Sequence, residues 1–516
     1  MQDISSDIFQ FRQLQQEFAA QYRSVFPDKL AAKTVVIIPG LSLDQSILSK
    51  IKGIIHYEER MLCMLMLLRM PNTHIIYVTS IPIDPVIVDY YLHQLPGITG
   101  YHARQRLTLL SCFDASRKSL TEKILERPRL IERIRNSIPA GSFAHLSCFN
   151  VTCSERELAV KLQMSVYGCD PDLQYLSSKS SCRKIFRSCN INAADGFEDL
   201  YTEEDIITSL TKLKTQNPSA LKGVIKINDG FSGEGNAIFY YEGAPENGDL
   251  KGWIKDQLPG RLQIVASGVT YIDFIDKFNE LGGIAEMFIE GHTKYSPSVQ
   301  CRINPLGDIE IISTHDQLLG EDNGQVFIGA NFPANAEYAN SIAVLAHKIS
   351  EELKQYGVMG RFSIDFVSVK ENEGWKHYAI EINLRKGGTT HPYHMLQFLT
   401  DGKYDAANGI YYTANGQPRY YLCSDNLQSE SYKGLTPYDL IDIMTLNDLL
   451  YNGSTQEGVM FHMIGALSQY GKLGVLCIGA SPERAADYYR EIVKVLDRET
   501  MVSNTFSDVE ALIKNF

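Results

Sequence analysis

The chain has 516 residues, of which 44% are hydrophobic and 21% charged, enough to bury a large core and to fill about three domains of ordinary size. Forty-nine Lys and Arg against 61 Asp and Glu leave a net charge of −12, a surface that repels phosphate backbones, so a nucleic-acid partner is not expected. Ten scattered cysteines show neither CxxC nor zinc spacing, which fits reduced thiols in a cytosol.

The opening MQDISSDIFQFRQLQQEF lacks a basic stretch followed by an apolar one. The longest apolar run, Met61 to Leu68, is bounded by Glu59, Arg60 and Arg69. A soluble, unexported, cytoplasmic protein with no membrane span is therefore expected.

Ile8, Phe11, Leu14, Phe18 and Tyr22 recur at helical spacing up to Pro27, and predict a surface helix over residues 1–26. The apolar run from Thr34 to Leu41 follows, then a helix-length stretch through Met70, the run HIIYVTS, a helix from Pro85 to Leu95, and LTLLSCFD. Strands alternating with helices predict a parallel sheet covered on both faces, an α/β domain over residues 1–175. The first strand ends in Pro39-Gly40-Leu41-Ser42, without the glycine pattern of a dinucleotide site.

From about residue 176 two helices (Ser178 to Cys189 and Glu203 to Lys214) precede short alternating strands joined by Gly-rich turns. This predicts an α+β region of antiparallel hairpins over 176–395. Residues 396–516 read as a small third α/β domain. It would contain a helix near Asp439 to Tyr451, the segment Gly458-VMFHMIGALSQYGKLGVLCIG as apolar helix, turn and strand, and a helix from Pro482 to Leu496. The breadth of the run Met460, Phe461, Met463, Ile464 and Leu467 fits a helix within its own domain, a face packed on the preceding domain, or a homodimer contact.

The most informative stretch is Arg361-FSIDFVSV, Lys370-ENEGW and Lys376-HYAIEINLRKGG, two alternating runs around a turn. Folded about Glu373, it pairs residues whose numbers sum to 746, which sets Asp365 opposite Glu381 and places Asn383 on the same face. Two carboxylates and an amide converging in an apolar sheet repel one another unless a cation lies between them, and hard oxygen donors suit Mg²⁺. The same spacing also fits a hairpin face turned to solvent. A second segment, Gly223-VIKINDGFSGEGNAIFYY, sets Lys226 before a glycine-rich loop able to turn N–H groups toward an anion, or simply to form a flexible tip. A third, Gly282-GIAEMFIEGHTKY, brackets a strand end with Glu286 and Glu290.

In this order, a Lys at a helix start (Lys179), a Lys before a Gly-rich hairpin (Lys226), Glu-x-x-x-Glu-Gly and Asp…Glu-x-Asn, the motifs resemble the ATP-grasp superfamily. Tyr57-Glu58-Glu59-Arg60, Ser80-IPIDP, Glu381-INLRKGGTTHPY and Gly458-VMFHMIGALSQYGKLG are similar to the group related to the peptide ligase of the pheganomycin pathway. The resemblance implies an ATP-grasp fold and an ATP-dependent ligase of small-molecule carboxylates and amines, amino acids or peptides. Lys179 and Lys226 would touch nucleotide phosphates under a lid at 231–236 containing Gly233, Glu234 and Gly235. Glu286, Met287, Phe288, Ile289 and Glu290 would hold the adenine side. Asp365, Glu381 and Asn383 would bind magnesium, with Lys226, Arg361 and Arg385 near the transferred phosphate. Thr293 stands where related ligases often carry a ribose-binding Glu. His315 and His391 are given no catalytic role. A phosphotransferase and an ATP-sensing module remain the alternatives.

Overall fold

The computed structural model describes residues 4–43, 45–49, 51–230, 235–266, 268–320 and 327–513. Five parallel strands build the first sheet, in the order Leu107–Ser111, Thr73–Thr79, Lys33–Ile38, Phe143–Cys148 and Ser165–Val166. Period-two alternation sends Val36 and Ile38 to one face, against Phe11, Leu120, Ile124 and Leu158. Val35 and Ile37 point to the other, against Leu62, Leu65 and Met66. Those residues lie in a 3-10 helix, Ile54–Arg69, where the sequence predicts a helix-length stretch. Among the described residues no helix is long and apolar enough to cross a membrane, and all ten cysteines are free.

The second sheet is antiparallel, in the order Gly196–Leu200, Gly283–Met287, Lys222–Ile227, Asn236–Tyr240 and Leu262–Ile264. The amphipathic helices Glu203–Gln216, Leu250–Arg261 and Tyr271–Leu281 supply its core through Leu210, Ile254 and Phe274. The helix carrying Lys179 runs over Lys179–Ser188, and the side chain of Ser178 accepts from the Ser181 N–H at its start.

The third sheet has nine strands. The predicted hairpin lies at one end of it, Gly360–Glu371 paired with Gly374–Asn383 and also with the short strand Lys294–Tyr295. Next come Pro297–Ile303, Ile309–Leu319 and Phe327–Phe332. The sheet then crosses the expected boundary at residue 395. Phe332 pairs with Tyr421 of the strand Tyr420–Gln428, followed by Lys472–Gly479 and Gly458–His462. Residues 396–516 thus carry strands of the sheet that residues 297–332 begin.

Gly458–His462 is a strand, not the predicted apolar helix. All five of its residues are buried, so it reads as a continuous apolar run, which periodicity does not separate from a buried helix. The segment is clamped to the N-terminal domain. Tyr91 donates to the carbonyl of Phe461 at 3.1 Å and the Phe461 N–H donates to Tyr90 at 3.0 Å. The Gly465 N–H donates to Glu59 at 3.0 Å, and Lys472 reaches the Tyr57 hydroxyl at 3.1 Å. His462 lies opposite Gly474 on the neighbouring strand, where a Cβ would overlap its imidazole ring. Gly474→Ala should therefore cost about 1–3 kcal/mol of stability. Gly453→Ala, at a position with open space around it, should stay within about 0.5 kcal/mol. Urea unfolding of the two variants checks both values.

Candidate active site

The hairpin register predicted from the sequence holds where it matters. Asp365 pairs with Glu381, Ile364 with Ile382 and Ser363 with Asn383. Nearer the tip the register differs by one residue, Phe366 opposite Ala379, because a bulge at Ile380 interrupts the ladder. The turn is Asn372-Glu373, between Glu371 and Gly374.

The three oxygen-bearing side chains converge. Asn383 Nδ2 donates to Asp365 Oδ2 at 3.1 Å, and its Oδ1 accepts from Arg385 at 3.2 Å. Burial, and then the facing charge of Glu381, push the Asp365 carboxyl up to about 6. Burial also disfavours charge on Glu381, but Lys179, Arg385 and Lys226 outweigh it and hold that carboxyl below its ordinary value. Lys179 Nζ lies 2.5 Å from Glu381 Oε1. Two carboxylates facing each other with an amide beside one of them, that one pushed toward the neutral form, are a donor set that suits a hard divalent cation.

Of the residues expected on the nucleotide side, Lys226 is near enough for its charge to act on Glu381. Lys226 Nζ pairs with Glu286 Oε1 at 2.6 Å, and Arg183 binds the other carboxylate oxygen at 2.9 Å. Glu286 is buried and serves as a ligand for two cations, Arg183 being one that the sequence reading passed over. Met287 donates its N–H to the Asp195 carbonyl at 2.8 Å. The Phe288 ring lies between the ammonium groups of Lys222 and Lys294, at 4.8 and 4.5 Å. The carbonyl of Ile289 accepts from Lys294 at 3.2 Å, and Glu290 is exposed. Gly235 closes the base of the predicted lid by accepting from the Ile227 N–H at 2.9 Å. Gly233 and Glu234 lie outside the described residues.

Arg361 stands apart from this group. It pairs in register with Arg302, four residues from Asp365 along the strand, roughly 13 Å at about 3.4 Å per residue. Burial and the Arg302 charge lower it to about 10. Its influence falls instead on Cys63, Lys386 and His394.

Beyond Arg385 the structure assembles charges that the sequence reading gave no role. Asp425 accepts from His462 at 2.7 Å, His391 at 3.1 Å and Arg60 at 3.2 Å. Although the two imidazoles and this carboxylate are close enough to share an ion, Arg60 already takes the second oxygen. Neither imidazole Nδ1 has the outer partner that a metal-bound histidine normally has. The Arg60 guanidinium also lies over the rings of Tyr57 and Phe149, at 4.5 and 4.7 Å. The signal in the sequence was the triplet Glu58-Glu59-Arg60 running straight into an apolar stretch, since adjacent buried charges require partners. His315, by contrast, is a core residue, bonded to the Tyr421 hydroxyl at 2.7 Å.

Comparison with known proteins bears on the fold and its relatives. A model of the IQCH-like ATP-grasp family matches residues 171–242 and 260–407, and one of the PGM1 C-terminal domain matches 439–492. The L-propargylglycine–L-glutamate ligase of Streptantibioticus cattleyicolor is 27% identical over 475 residues, covering 89% of this chain and 92% of the relative. The IQ motif-containing protein H of Danio rerio is 23% identical over 399 residues, 69% of this chain and 38% of that protein. Among solved structures, a biotin carboxylase from Campylobacter jejuni bound to β-γ-ATP superposes with a TM-score of 0.52 at 13% identity, covering 88% of this chain and 89% of its own. The ADP complex of an N5-carboxyaminoimidazole ribonucleotide synthetase gives 0.51 at 13% identity, covering 91% and 98%. Fold, motif order and a relative matched nearly end to end agree: the chain has an ATP-grasp fold, its residues 171–242 and 260–407 match the IQCH-like ATP-grasp family, and the whole is similar to a ligase of L-propargylglycine and L-glutamate.

Proposed function

We propose that the protein joins the carboxylate of one amino acid or short peptide to the amine of another through an acyl phosphate, releasing ADP and phosphate. The observation that carries this reading is the Asp365–Glu381–Asn383 set with Arg385 beside it and Lys179 and Lys226 behind it. The curated relative that matches nearly end to end is named as a ligase of two amino acids, L-propargylglycine and L-glutamate, which favours substrates of that class here.

A carboxylate does not acylate an amine at neutral pH, because its leaving group would be oxide. Attack of a carboxylate oxygen on the γ-phosphorus of ATP forms a C–O–P linkage and expels ADP. The amine then attacks the carbonyl carbon, phosphate leaves, and the ammonium proton is lost. Such chemistry needs positioning and charge neutralisation rather than a protein nucleophile. Magnesium held by Asp365, Glu381 and Asn383 would offset charge on the β and γ phosphates. Arg385, hydrogen-bonded to Asn383, is set to hold the reacting carboxylate or the moving phosphoryl group. Lys179 and Lys226 reach the same region from two other elements, and on nucleotide binding their ammonium groups can exchange carboxylate partners for phosphate oxygens.

ADP should appear only when a carboxylate and an amine are both supplied, with a product lighter than its two parents by one water on mass spectrometry. ADP formed on a hydroxyl acceptor alone would instead mark a phosphotransferase. Glu381→Gln keeps the hydrogen bond to Lys179 but removes a metal-binding charge. Turnover should fall by about two orders of magnitude or more with the melting temperature little changed, as steady-state ADP release and thermal unfolding will show. Lys226→Met leaves Glu286 its second partner, Arg183. It should weaken ATP binding about tenfold or more, some 1.4 kcal/mol, measured by calorimetry.

A further inference from the structure

The parallel sheet ends in an open edge. Its outermost strand, Leu107–Ser111, pairs on one side only, with Thr73–Thr79. The Ile75 N–H donates to the Arg106 carbonyl at 2.9 Å, and the Cys112 N–H to the Thr79 carbonyl at 2.9 Å. A parallel ladder phased by these two bonds uses the even-numbered residues and turns the N–H and C=O groups of Leu107, Leu109 and Ser111 outward. Proteins blunt such edges with charge, with proline, or with a covering element. Leu-Thr-Leu-Leu-Ser has neither charge nor proline, and Leu109 is 38% exposed. The apolar residues between Met460 and Leu467, which the sequence also offers as a homodimer contact, are buried within the chain, so two copies cannot meet there.

Complementary features flank the two ends of this strand. At its exit Phe113 is 78% exposed and holds φ at 52°, a left-handed conformation uncommon for a bulky residue. At its entrance a groove of about 460 Å³ is lined by Leu92, Tyr101, Arg104 and Gln105. Leu92 belongs to the same core as Ile75 and Tyr77, the register partners of Leu107 and Leu109. The groove and the side chains of Leu107 and Leu109 therefore lie on one face of the sheet. Charge is divided in the same way. Asp114 stands at the exit, held by Arg127 at 2.7 Å, and Arg104 at the entrance is exposed with Asp89 on one of its nitrogens at 2.8 Å. The chain thus carries an exposed aromatic ring and a hollow able to take one, an acid and a base, at opposite ends of one unpaired strand.

We propose that this edge pairs with the same edge of a second copy of the chain, antiparallel about a two-fold axis at Leu109, joining two five-stranded sheets into one continuous sheet. Leu109 then faces its own copy and Leu107 faces Ser111, each pair exchanging two backbone bonds from groups that already point outward. Antiparallel pairing sets the exit of one strand beside the entrance of the other. Phe113 of each copy meets the groove of its partner, and Asp114 meets the partner's Arg104. A two-fold contact needs both halves of the interface on one chain, and both are here, whereas a strand from an unrelated protein would need only the open edge. The contact lies away from the reaction centre: Lys386 reaches the sheet at Cys148, on the far side of the strands Thr73–Thr79 and Lys33–Ile38.

Sedimentation velocity of the full chain, over about 0.1 to 100 μM where a modest interface dissociates, should show a particle of twice the chain's 58.0 kDa. Leu109→Pro removes an N–H that faces away from its own sheet, which an edge strand tolerates, and should raise the dissociation constant at least tenfold with the melting temperature little changed. Phe113→Asn empties the partner's groove and suits the left-handed backbone; it should weaken the dimer by a similar factor, and it gives the reading should Leu109→Pro fail to fold. Leu109→Cys should yield, under mild oxidation, a dimer linked through that position, since the Cα atoms of such a pair lie about 5.5 Å apart, within disulfide reach. Peptide mapping identifies the linked residue. A chain that sediments as a monomer throughout overturns the proposal, whatever other protein it captures. So does a dimer that Phe113→Asn leaves as tight as wild type, or an oxidised Leu109→Cys dimer linked only through the native cysteines.

Discussion

Two carboxylates that face each other across adjacent strands, Asp365 and Glu381, set the terms for everything around them. Left alone in an apolar sheet they would repel, and one would take up a proton. The protein answers with cations from three directions: Lys179 at the start of a helix, Arg385 just past the strand end, and Lys226 from the second sheet. Lys226 in turn shares Glu286 with Arg183. The result is a chain of alternating charges from the hairpin to the nucleotide side, in which each group is buried only because its neighbour is. On the function proposed above, a polyphosphate and its metal would re-pair this network, incoming oxygens and cations replacing like with like.

The second organising contact is the clamp between the N-terminal domain and the far end of the chain. Tyr57, Glu59 and Arg60 meet Lys472, Gly465 and Asp425, while Tyr90 and Tyr91 cap the backbone of Phe461. These contacts join segments 365 to 415 residues apart. They close the nine-stranded sheet against the parallel one. The charged triplet Glu58-Glu59-Arg60 and the segment from Gly458 to Gly474, read separately from the sequence, are thus two halves of one junction. Gly465 and Gly474 are required there because a Cβ at either would overlap the side chains they receive, Glu59 and His462.

Alternation and motif order made the centre legible. A period of two places Asp365, Glu381 and Asn383 on one face whatever surrounds them, and the summed register of 746 is met at the site itself. It is met because the bulge at Ile380 compensates for a turn centred on Asn372-Glu373 rather than on Glu373. The parallel first sheet was equally legible, since apolar runs alternating with helices admit few other topologies. The strand Gly458–His462 was not, because a run buried on every side carries no period.

What the sequence determined by itself is therefore local: most of the elements, which face of the hairpin bears the two carboxylates and the amide, and the succession of lysines, glycines and carboxylates that resembles an ATP-grasp protein. Tertiary structure alone decided that Glu286 is a shared counter-ion inside the protein, that Arg361 lies opposite Arg302 on the neighbouring strand, and that Asp425 gathers Arg60, His391 and His462 from three distant segments. The physical reason is the same in each case. Hydrogen bonding and side-chain alternation act between neighbours in sequence and leave a periodic trace there, whereas the pairing of buried charges depends on distance in space, and no spacing along the chain records it.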